Sequence, residues 1–119
     1  MIFNSGKCGE NAAIKFLKKS GYKILERNYR KTYGEIDIIA KCGENIAFVE
    51  VKTRKSDAYG TPAEFVTATK QKKIIKTAYT YIQENELDAE FTFDVVEVFL
   101  CGRRIEKINH IPNAFYIKE

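Results

Sequence analysis

Histidine and cysteine are scarce in this chain. His110 is the only histidine, and the three cysteines, Cys8, Cys42 and Cys101, stand far apart with no CxxC pair. A zinc site built from Cys and His is therefore not expected, and an odd, scattered set of thiols argues against a disulfide framework. The expected compartment is reducing and cytoplasmic. No stretch approaches the ~20 apolar residues that a membrane-spanning helix needs. The opening residues, MIFNSG, show no hydrophobic region of the signal-peptide kind. Repeats, low-complexity tracts and linkers are missing as well. Nor is there a large excess of one charge: 20 Lys and Arg stand against 16 Asp and Glu, for a net charge of +4. Such a balance permits an anionic partner without requiring one. The 119 residues, 45 % of them hydrophobic, suffice for a single domain, 1–119, with a real core.

What the chain does have is charge in an unexpected setting. GEIDIIA (34–40), the turn KCGE and NIAFVEVKTR (45–54) read as two apolar strands around a tight turn. The first carries Glu35 and Asp37, the second Glu50 and Lys52. Side chains two apart on a strand share a face. Charges in a Val/Ile/Phe strand are costly unless they are paired or coordinate something. A turn at Cys42-Gly43 sets Asp37 opposite Phe48 and Glu35 opposite Glu50. A turn at Gly43-Glu44 sets Asp37 opposite Glu50 and Glu35 opposite Lys52. Either register leaves Asp37, Glu50 and Lys52 on one face, and a one-residue slip destroys the arrangement.

The remaining elements follow from periodicity. Residues from about Lys7 to Ser20 read as a helix with the apolar stripe Ala13, Ile14 and Leu17. Glu10 heads that stripe, either as an acid complementing the helix dipole in the first turn or as an acid turned inward toward a cation. Tyr22 to Arg30 is expected as a strand. Ser56 to Gly60 is expected as a loop, followed by a helix start at Thr61-Pro62-Ala63-Glu64. A second helix is expected from about Ala68 to Asn85, with Thr67 as its cap and Gln71 heading its buried stripe. Lys70, Lys72, Lys73 and Lys76 form either a solvated face or a phosphate-contacting one. Strands are expected at Glu90 to Leu100 and Arg103 to Ile108, with an irregular tail containing Pro112. The order is helix, three strands, helix, two strands: an α/β domain with a mixed five-stranded sheet flanked by helices.

Two carboxylates on adjacent strands and a third on a helix make a hard oxygen-donor set, suited to Mg²⁺ or Mn²⁺ rather than zinc. Together with Lys52 they match metal-assisted phosphodiester hydrolysis. The alternative is a salt-bridge cluster that only fixes strand pairing.

The pieces GENAAIKFLKKSGYKILERNYR, GEIDIIA, FVEVKTR, DAYGTPAEFVT with the basic helix after it, FDVVEV and the terminal NAF resemble the YraN-like group of uncharacterised bacterial proteins. That group resembles Holliday-junction resolvases of the PD-(D/E)xK nuclease superfamily. The resemblance implies a restriction-endonuclease-like fold and a nuclease acting on DNA, with branched or single-stranded DNA and a role in repair or recombination in view. It implies Asp37 and Glu50 as ligands of Mg or Mn, Lys52 as the catalytic lysine and Glu10 as the acid beside the metal. Gln71, Lys70 and Arg54 are then expected at the substrate, and a homodimer by analogy. One departure is that Ile36 stands where the superfamily motif has proline. The competing expectation is a non-catalytic nucleic-acid-binding module of the same fold.

Overall fold

The computed structural model describes residues 2–58 and 66–117. Its elements are α1 (Ser5–Lys19), β1 (Lys23–Lys31), β2 (Gly34–Cys42), β3 (Asn45–Lys55), a short 3-10 turn (Ser56–Ala58), α2 (Ala68–Glu84), β4 (Glu90–Cys101) and β5 (Arg104–Phe115). The five strands form one sheet in the order β1-β2-β3-β4-β5. Neighbours run antiparallel except β3 and β4, which are parallel. Parallel neighbours need a crossover, and α2 lies in it. The expected α/β architecture is the one observed. The helix start expected at 61–64 lies outside the described residues.

The two helices cover opposite faces of the sheet. From α1, Ala12, Ala13, Ile14 and Leu17 pack on Ile38, Ala40, Ala47, Val49, Val96 and Val98. From α2, Ile74, Ala78 and Tyr81 pack on Ile39, Phe48, Phe93 and Val95. The central strands β3 and β4 are thus buried on both sides, which is why they read as nearly continuous apolar runs.

Two boundaries differ from the sequence reading, and one open alternative is decided. First, α1 begins at Ser5, with the Asn4 side chain accepting the Lys7 N–H at 3.0 Å. Glu10 is therefore past the first turn, and the dipole explanation for it lapses. Second, of the two turns that the residues 41–44 allow, the β2–β3 turn is Gly43-Glu44, since Cys42 pairs with Asn45. Gly43 has φ +60°, as a tight hairpin turn requires. Third, the tail from Asn109 is largely strand: β5 continues to Phe115. Pro112 is accommodated because β5 is an edge and its register shifts between its pairs with Val95 and Phe93. At that bulge Asn113 takes φ +52° and donates its N–H to Asp94.

Candidate active site

The β2–β3 pairs run from Cys42–Asn45 to Ile38–Val49. Continuing that register sets Asp37 opposite Glu50. Here the Asp37 Oδ2 atom accepts the Val51 N–H at 2.8 Å. A side-chain oxygen thus satisfies a β3 backbone donor just past the last pair, and this fixes the carboxyl's position.

Asp37 lies beside Glu50, close enough for the Glu50 charge to oppose its ionisation. Glu50 is only 7 % exposed. Burial, reinforced by the neighbouring Glu50 charge and by Glu10, pushes the Asp37 carboxyl up to about 7, against the opposing Val51 hydrogen bond. Two neighbouring acids of this kind are relieved by a shared proton or by a cation.

One cation is already present. The Lys70 Nζ atom, from the first turn of α2, lies 2.5 Å from Glu50 Oε1. Its pKa is raised: burial works against the charged form, but the Glu50 hydrogen bond and the charges of Glu50, Asp37 and Glu35 outweigh it. Lys70 is thus set apart from Lys72, Lys73 and Lys76, which take no carboxylate partner among the described residues. The cap explains its position. Thr67 Oγ1 accepts the Lys70 N–H at 3.2 Å, which fixes the first turn.

Lys52 follows Glu50 by two residues on β3, half-buried, with no ion-pair partner among the described residues. Its register partner on β4 is Glu97. The Glu97 carboxylate is taken instead by Arg54 Nη1 at 2.8 Å and by Asn109 Nδ2 at 3.0 Å. Arg54, expected at the substrate, is therefore tied into a buried polar cluster on the sheet. Gln71, also expected there, turns its amide to the Val66 carbonyl at 2.8 Å.

Glu10 reaches the group through a residue the sequence reading passed over. In the orientation that satisfies both ends of its amide, Asn28 donates to Glu10 Oε1 at 3.1 Å and to Glu35 Oε1 at 3.3 Å. Asn28 has φ +51°, a left-handed backbone that Asn adopts more readily than most residues. Either side of it the strand changes face. Arg27 turns to Asn11 of α1 at 2.7 Å, whereas Tyr29 packs on Tyr81 of α2. The partner strand does the same: Ile38 lies in the α1-side core and Ile36 in the α2-side core. The two-apart rule therefore fails at the Asn28–Asp37 level, and Glu35 cannot be assigned to Asp37's face from spacing. It forms an ion pair with Arg30 at 3.1 Å. An asparagine amid Arg27, Tyr29 and Arg30 was the available signal.

The residues brought together are thus Asp37, Glu50, Lys70, Glu10 and Asn28. All of the positions joined, from Glu10 to Lys70, fall within residues 9–98, which match the model of the uncharacterised protein family UPF0102. The chain belongs to that family. Among UPF0102 relatives, the protein of Geobacter metallireducens is 49 % identical over 92 % of this chain and 90 % of its own length. The UPF0102 protein of Caldicellulosiruptor saccharolyticus is 47 % identical, over 92 % of this chain and 95 % of its own. That of Clostridioides difficile is 50 % identical, with the same coverage. No described helix is long and apolar enough to cross a membrane.

Proposed function

We propose that this UPF0102 chain is a divalent-metal-dependent phosphodiester hydrolase acting on nucleic acid, DNA above all. The observation that carries this reading is the Asp37–Glu50 pair, half-buried at Asp37 and buried at Glu50, whose Asp37 carboxyl is held up to about 7 by burial and by its neighbour. A structural ion pair would be arranged the other way, with acids held well below their ordinary values by cations. An acid pair under mutual repulsion suits a site that receives a cation.

The donor set fits Mg²⁺ or Mn²⁺. Both donors are hard carboxylate oxygens; among the described residues no group of three or more His, Cys, Asp and Glu is placed to hold a metal ion. Mg²⁺ keeps several waters and takes only one or two protein carboxylates, so an open two-acid site is adequate. When bound, such an ion polarises a phosphoryl oxygen and lowers the pKa of a bound water.

The chain's own residues would then divide the work. Asp37 and Glu50 would hold the ion, with the Val51 N–H orienting Asp37. Lys52 offers an ammonium that no described carboxylate neutralises, available to stabilise negative charge as it develops on the phosphate. Glu10, held by Asn28, deepens the negative potential that favours a cation and acts as a positioning residue. Lys70 neutralises Glu50 and, at the edge of the site, would be within reach of a substrate phosphate.

The test is cleavage of labelled linear, flapped and four-way DNA with Mg²⁺ or Mn²⁺. Wild-type protein is expected to cut at least one of these. Asp37→Ala and Lys52→Ala are expected to lower the rate on the order of 10²-fold or more. Variants that cut as well as wild type, or a wild type that cuts none of the panel, would sink the proposal.

A further inference from the structure

A second feature lies beside the acid pair. The turn Thr32-Tyr33, between β1 and β2, is set against α2, and an open groove of about 590 Å³ runs between them. Arg30 and Lys31 line one wall; Lys72, Lys73 and Lys76 line the other. Only two of these five cations meet a described carboxylate: Arg30 is with Glu35 and Lys31 with Glu84 at 2.9 Å. The groove therefore carries an excess of positive charge drawn from two separate elements. A solvated lysine face on a single helix would have no such second wall.

The spacing of the walls is built in. A Cβ on Gly34 would lie 2.4 Å from Thr77 Oγ1 and 2.8 Å from the Lys73 carbonyl oxygen. Only glycine lets the start of β2 approach the helix so closely. The Tyr33 hydroxyl hydrogen-bonds to Thr80 of α2, and Lys76 Nζ sits 4.4 Å from the Tyr33 ring centroid. The turn is thereby held to the helix, and Lys76 is held over an aromatic ring. Glu35 also lines the groove, and Asn28 joins it to Glu10 of the candidate site.

We infer that this groove is the track for the sugar–phosphate backbone of one nucleic-acid strand, leading a phosphodiester to the Asp37–Glu50 pair. The direction of the track rests on the hydrolase reading; the binding itself does not. The ligand chemistry is a run of phosphodiesters, because the walls supply point charges and forked donors and no closed pocket for a base. Phosphate contacts of this kind are salt-dependent and sequence-tolerant.

The experiment measures binding of a fluorescent oligonucleotide by anisotropy, in EDTA, across a series of salt concentrations. Three proteins are compared: wild type, the groove triple K72A/K73A/K76A, and the control triple K15A/K18A/K19A. The control removes the same charge from exposed lysines on α1, on the other face of the sheet. All six side chains are exposed, so neither triple disturbs the core. The groove triple is expected to bind at least tenfold more weakly than wild type. Its salt slope should fall by about 2 to 3, since each phosphate contact contributes roughly 0.7 on a single strand and roughly 0.9 on a duplex. The control is expected to stay within about threefold of wild type. Equal losses in both triples, no loss in the groove triple, or no binding by wild type would overturn the inference. Groove-dependent binding by a wild type that never cuts would leave the track standing and remove only the hydrolase reading.

Discussion

At Asn28 the backbone enters the left-handed region, φ +51°, and the amide spans Glu10 and Glu35. Conformation and chemistry can be separated there. Asn28→Gly keeps the backbone and removes the amide; Asn28→Ala removes both and costs about 1 kcal/mol more in strain. Thermal unfolding should rank wild type and the glycine variant above the alanine variant, and cleavage should fall in both. Equal activity in all three would remove Asn28 from the site. The pair it supports has a pH signature in metal-free protein. Asp37 titrates at about 7 when folded, against an ordinary 3.8. The folded value is the higher, so the native state holds this proton more tightly than the unfolded chain does. The associated stability is complete below about pH 4 and is lost as pH rises through about 7. Urea unfolding should show that loss, on the order of 1–3 kcal/mol, and Asp37→Asn should flatten it. Stability that holds level over this range in wild type would contradict the acid pair. Asp94 works in the opposite sense. Burial raises its pKa, but the His110 side chain at 2.8 Å, the Asn113 N–H and Thr92 outweigh it and hold it below its ordinary value. Its contribution is present above about pH 4 and is lost on acidification.

At the scale of elements, the site depends on how closely α1 approaches β3. A Cβ on Gly9 would lie 2.1 Å from Thr53 Oγ1 and 3.2 Å from Thr53 Cβ. Threonine on a strand has few rotamers, so the helix would have to move, and Glu10 with it. Gly9→Ala is expected to cost about 1–3 kcal/mol by urea unfolding and to reduce cleavage as well. An unchanged unfolding midpoint would show that the helix is not pinned there. Much of this level was legible in the sequence. The hydrophobic stripes located both helices, and the charged pairs located β2 and β3. Register was harder, because two turns fitted the residues 41–44 and only the observed Cys42–Asn45 pair decides between them. The start of α1 was hidden because Gly6 and Gly9 weaken helix propensity just where the helix begins. The end of β5 was hidden because proline ordinarily stops a strand, and only an edge with a bulge admits it. The face change at Asn28 was hidden for a related reason: period-two reasoning has no place for a left-handed residue mid-strand.

For the whole molecule, the mild net charge of +4 conceals an uneven distribution. Acids converge at Asp37, Glu50 and Glu10, while cations line the adjoining groove. Such a division favours a substrate that is itself anionic but brings, or meets, a cation at one point along its length. Lys70 is the internal cation on Glu50, and under the proposed function it is the one a metal ion would displace. The most direct measurement is a titration of the protein with Mn²⁺, followed by electron paramagnetic resonance of the free ion at pH 8. Wild type should bind one ion per chain with saturable affinity, Asp37→Asn should lose that ion, and Lys70→Ala should bind it several-fold more tightly. A wild type with no saturable site, or an Asp37→Asn variant that binds as wild type does, would contradict the account.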